Sequence, residues 1–151
     1  MTSSFAGTSH ALSVALNEPR AKPFFEAIGG FGGGMFGGRL PDIIEPAITP
    51  RHRGPAHSLE AGVGAIWLSR EVVPEWQAAC RRLAEALTAK GTQFAAGSLQ
   101  RMLCSFASIA CYVFAGFLAG IGAGYVTHLV CDHGRPFLQA LQNFTAVGLT
   151  L

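Results

Sequence analysis

Two stretches of this 151-residue chain gather side chains that can hold a divalent cation. Asp42, His52 and His57 lie in a proline-punctuated segment, and His128 and Asp132, with His133 adjacent, form a second group far downstream. Neutral imidazole nitrogens and carboxylate oxygens are ligands of Zn²⁺ and similar divalent metals. Pro41, Pro46, Pro50 and Pro55 stiffen the first segment, which lowers the entropy lost in fixing several ligands there. His128 and Asp132 are four residues apart, so a helix carries both on one face. Each residue alone has an ordinary alternative: His128 as a hydrogen-bonded core histidine, Asp42 as a cap, Arg51 and Arg53 as flanking cations. Two groups converging on one place favour a metal.

The elements that must position these residues are apolar. The chain is 50% hydrophobic and only 13% charged, with a mean hydropathy of +0.35, against roughly 25% charged in ordinary soluble domains. The thirty residues from Met102 to Cys131 contain no Asp, Glu, Lys or Arg, more than the roughly 20 that span a bilayer as a helix. Two weaker apolar segments are Lys22 to Gly38, interrupted by Glu26, and Gly54 to Ser69, which carries His57 and Glu60. Residues 70–101 hold eight of the twenty charged residues and predict an amphipathic helix in water or at the interface. The expectation is a single all-α domain over 1–151, a polytopic membrane protein with about three apolar helices, one amphipathic connecting helix and a polar segment over 1–21.

Gly30, Gly34 and Gly38 recur every four residues, as do Gly116, Gly120 and Gly124. Such rows let helices approach closely in lipid and could drive homo-oligomers; the duller reading of 29–38 is a flexible glycine loop. Three crossings would bring the connection at 39–53 and the residues after 131 to the same side. Lys and Arg number seven on the N-terminal side and four on the other, which favours a cytoplasmic N-terminus and an outward-facing site. A net charge of +2 gives no reason to expect nucleic acid. The start of the chain lacks the pattern of a secretory signal, and Cys80, Cys104, Cys111 and Cys131, without CxxC spacing, read as buried thiols.

In order along the chain, GGRLPDIIEPA, RHRGPAHS and GAGYVTHLVCDHGRP resemble the signature of the membrane-bound metal-dependent hydrolases typified by the LexA-regulated YdjM proteins. The resemblance covers about residues 27 to 136. It is similar, more distantly, to the α-helical zinc-dependent phospholipase C and single-strand nuclease group. It implies Asp42, His52, His57, His128 and Asp132 as ligands, Zn²⁺ or another divalent ion as cofactor, and a multi-pass inner-membrane location of bacterial type. Glu45, Pro55-Ala56 and Thr127 depart from the family pattern, and His10 is a further possible counterpart of a family histidine. The implied reaction is metal-assisted hydrolysis, with a metal-bound water of lowered pKa. Asp42 or Glu45 would orient or deprotonate that water, and Arg53, with Arg51, would steady an anionic oxygen. Membrane lipids would be partners, and a phospholipid or lipid-linked phosphoester the substrate. The competing expectations are a non-catalytic metal-stapled membrane protein and a self-associating or pore-forming helical one.

Overall fold

The computed structural model describes residues 20–46 and 54–148, together with Ala11, Val14, Leu16 and Glu18. His10, His52, Arg51 and Arg53 lie outside the described residues. Across residues 20–46 and 54–148, four α-helices follow one another: α1 (Ala21–Ile44), α2 (Leu59–Trp67), α3 (Val73–Thr92) and α4 (Leu99–Gly148). A single 3₁₀ turn, Pro55–His57, precedes α2, and a π-helical turn, Leu68–Val72, joins α2 to α3.

The glycine-rich run is helix, not loop. Glycine is about 1 kcal/mol worse than alanine in an isolated helix, so α1 depends on what it packs against, and Gly29, Gly33, Gly37 and Pro41 form its buried stripe. A methyl group at Gly29, Gly33 or Gly37 would overlap the carbonyl oxygens of Val113, Phe117 and Ile121 on α4. In return, a methyl at Gly116, Gly120 or Gly124 would overlap those of Glu26, Gly30 and Gly34. Both series rise together along the chain, so α1 and α4 lie parallel with their backbones in contact. The two glycine rows therefore mate with each other within the chain. The buried row on α1 is offset by one residue from the one expected, while Gly30 and Gly34 supply the carbonyl oxygens that face Gly120 and Gly124.

The α2–α3 run descends antiparallel to α4. Ser108 on α4 donates to the Ala84 carbonyl at 2.9 Å and its hydroxyl lies 2.9 Å from that of Thr88, while Gln77 donates to the Ala115 carbonyl at 2.9 Å. Pro74 explains the π turn. Proline has no N–H, and its ring collides with the carbonyl four residues back in a regular helix, so the turn just before it widens. The expected amphipathic helix over 70–101 is shorter in the structure. It ends at Thr92, a turn containing Gly97 at φ 83° intervenes, and Ser98 caps α4 by accepting from Arg101 N at 3.3 Å.

The expectation of about three membrane-spanning helices does not hold among the described residues. Among the described residues, only α4 is long and apolar enough to cross a membrane, over Leu99–Gly134, where its most apolar window has a mean hydropathy of 2.0. Segment α1 fails because glycine adds little hydropathy and Lys22, Glu26, Arg39 and Asp42 punctuate it. Helix α2 has nine residues, about 14 Å at 1.5 Å per residue, under half of a ~30 Å hydrocarbon core. Over the described residues the chain thus runs up, down and up as three packed helical passes, of which one is long and apolar enough to span a membrane.

Candidate metal centre

The up–down–up course brings three element ends to one end of the bundle. Helix α1 stops where Glu45 precedes Pro46, since a residue before proline is steered out of the α region, and this sets Asp42 in its final turn. The 3₁₀ turn Pro55–His57 delivers His57 just before α2, whose N-terminus is fixed by Ser58 Oγ accepting from Ala61 N at 3.1 Å. Helix α4 contributes His128 and Asp132 one turn apart, directly below the break at Gly134, whose φ of 67° and ψ of −153° interrupt the helix.

Nε2 of His57 lies 3.5 Å from Asp42 Oδ1 and 3.6 Å from Asp132 Oδ2. Nε2 of His128 lies 3.5 Å and 3.2 Å from the same two oxygens. The most compact group is Asp42, His57 and His128, whose ligand atoms lie within 4.8 Å of one another. These spacings suit a shared cation: bonds of ~2.0–2.1 Å in tetrahedral directions put neighbouring ligand atoms about 3.3 Å apart. Despite the 3.2 Å approach of Asp132, His128 Nε2 is buried without a hydrogen-bond partner among the described residues. It approaches both carboxylates without making a hydrogen bond to either.

Glu45 sits on the other side of His57, its Oε2 3.1 Å from Nδ1. A carboxylate on Nδ1 fixes the tautomer and ring direction of a metal-binding histidine and leaves Nε2 for the ion. Burial works against ionisation of Glu45, but the Ala56 backbone, the His57 ring and the Gly54 backbone outweigh it and hold the carboxyl below its usual value. His57 is 1% exposed, whereas the Asp42 side chain is 55% and that of Asp132 32% exposed, so the centre is open on its carboxylate side.

Of the expected ligands, Asp42, His57, His128 and Asp132 come together. His52 and the anion-binding candidate Arg53 lie outside the described residues. Glu45 takes a place behind His57 instead of standing among the ligand atoms. The Nδ1 of His133 lies 3.1 Å from the Leu129 carbonyl of its own helix. Cys80, Cys104 and Cys111 are only partly buried and Cys131 is exposed, which corrects the expectation of buried thiols. Tyr125 was not anticipated. It is 8% exposed, and its hydroxyl donates to the carbonyl of Ala56, tying α4 to the residue beside His57. A tyrosine inside a charge-free run is the available signal, because its buried hydroxyl must find an acceptor.

Comparison with family models, with curated proteins and with solved structures gave no match.

Proposed function

We propose that the protein is a membrane-associated, divalent-metal-dependent hydrolase of phosphoesters, with its metal held by Asp42, His57, His128 and Asp132. The observation that carries this reading is the convergence of two imidazole Nε2 atoms and two carboxylate oxygens at 3.2–3.6 Å from three separate elements. Two neutral imidazoles and two carboxylates bear a combined charge of −2, which a Zn²⁺-like ion neutralises; without one, the carboxylates repel each other beside a buried ring. An ion held by these four residues would supply Lewis acidity and lower the pKa of a water toward neutrality. Glu45 orients His57. Asp42, the most exposed of the four ligands, stands where it can orient an incoming water, and Arg53 is assigned to the anionic oxygen of the substrate from its place in the RHRG sequence. Phosphoester chemistry is supported by the resemblance of the three sequence motifs.

Membrane association is supported by the apolar length of α4 and by large side chains left outside the bundle, Phe24, Phe31 and Met35 on α1 and Leu103, Phe106 and Phe114 on α4. An inner-membrane location of bacterial type is proposed on the same grounds and on the resemblance.

The test is hydrolysis of a simple phosphodiester such as bis(p-nitrophenyl) phosphate by detergent-purified protein reconstituted with zinc. Zinc-dependent turnover that falls at least a hundredfold in His128→Ala supports the reading. Turnover equal in the two proteins, or unaffected by a chelator, overturns it. A second reading, a non-catalytic metal staple, is favoured by the ligands coming from three elements. It predicts bound zinc, no turnover, and a melting temperature that drops when zinc is removed.

A further inference from the structure

An apolar cavity of about 490 Å³ runs along the bundle between the α2–α3 run and α4. One end is lined by Leu40, Ala61 and Tyr125. These lie two residues before Asp42, four after His57 and three before His128, so each is about one helical turn or less from a candidate ligand on the same stretch of chain. The other end is lined by Trp76 and Leu118. From Tyr125 to Leu118 is seven residues of helix, about 10 Å. The cavity is therefore a slot along the side of the helix apolar enough to meet lipid, and it begins at chain neighbours of the candidate ligands, none of which lines it.

Two local features hollow it. Gly64 lines the slot, and a Cβ there would meet nothing within 4 Å, so the space exists where a side chain is missing. The π turn at Leu68–Val72 swells the helix beside it and lets Ser69 lie against Gly122, where a methyl would overlap its Oγ. Widened turns of this kind recur at functional sites.

We infer that this slot holds one alkyl chain of a phosphate-bearing lipid whose headgroup reaches the Asp42–His57–His128 centre. The inference rests on the metal reading for the headgroup and on the slot alone for the chain. The apolar lining and the course along α4 fit a flexible hydrocarbon, and the exposed carboxylate side of the centre is where a phosphate would meet the ion.

The test uses Trp76, one of two tryptophans, as a reporter in a Trp67→Phe background. The full chain, loaded with zinc in micelles of constant composition, is titrated with bromine-ended dodecyl phosphate and bromine-ended dodecanol. The expected result is saturable quenching of Trp76, tighter for the phosphate than for the alcohol, and weakened at least tenfold by Gly64→Phe with helicity and zinc content unchanged. Gly64→Leu, a smaller plug, should weaken it less. Quenching that rises linearly with the amphiphile and is the same in Gly64→Phe is bulk micelle contact and overturns the slot. A dimer that Gly64→Phe dissociates, with no saturable quenching in the parent, assigns the slot to a second copy and overturns it too. Saturable binding that Gly64→Phe abolishes, but with phosphate and alcohol bound alike, upholds the chain site and overturns the headgroup reading.

Discussion

At the scale of single residues, the geometry turns on what each ring nitrogen of His57 faces. Nδ1 is engaged by Glu45 at 3.1 Å, while Nε2 faces the carboxylates of Asp42 and Asp132. Partners behind a metal-binding histidine typically account for 10- to 100-fold in metal affinity. Glu45→Gln should therefore weaken zinc affinity about 10- to 100-fold while keeping one ion per chain at saturation, measured by competition with a chromogenic chelator. An unchanged affinity would show that Glu45 serves only the loop. The residue types were legible in the sequence, because His and Asp at the end of an apolar helix are costly without partners. The division of labour was not. Nothing in the spacing of Asp42 and Glu45 tells which carboxylate faces an ion and which stands behind a ring. That is decided by where α1 ends, in front of Pro46.

At the scale of elements, the centre exists because α1 and α4 touch backbone to backbone. A leucine at Gly33 has no room, since even its Cβ would overlap the Phe117 carbonyl. Overpacking of this kind usually costs about 1–3 kcal/mol, and a backbone collision leaves little room for relief. The ion pair between Arg81 and Glu26, two hydrogen bonds of 2.7 Å, also links α3 to α1, but it is partly exposed and pairs of that kind are worth about 1 kcal/mol or less. Gly33→Leu should thus lower thermal stability and lose bound zinc, while Arg81→Ala keeps its zinc and shifts the melting temperature slightly. If Arg81→Ala also loses its zinc, the ion pair rather than the glycine seam positions the centre. The glycine periodicity showed in the sequence that a close helix contact exists. It did not show that the partner is the other row of the same chain, because a four-residue repeat is equally compatible with a second copy. The neighbouring stripe, Gly29, Gly33 and Gly37, was hidden by the density of glycine in that stretch.

At the scale of the whole molecule, the site was legible for a reason that does not require three membrane spans. Any up–down–up chain places the end of its first pass, the start of its second and the end of its third together, so Asp42, His57, His128 and Asp132 meet whether or not lipid surrounds each pass. What hydropathy overstated was the membrane role of the first two passes, where glycine and the few charges of α1 and the shortness of α2 fall below a span. A carbonate wash should leave the protein in the membrane fraction through α4, and replacing Leu103 and Phe114 by lysines should release it; retention of that variant would place the anchorage elsewhere. On the proposed reading three elements close over one ion, so the metal content of the detergent-purified chain is the most direct test. The account predicts close to one zinc-like divalent ion per chain by elemental mass spectrometry and almost none in a folded His57→Ala/His128→Ala double variant. A metal-free native chain that stays empty after exposure to zinc, or a double variant that keeps its ion, would contradict it.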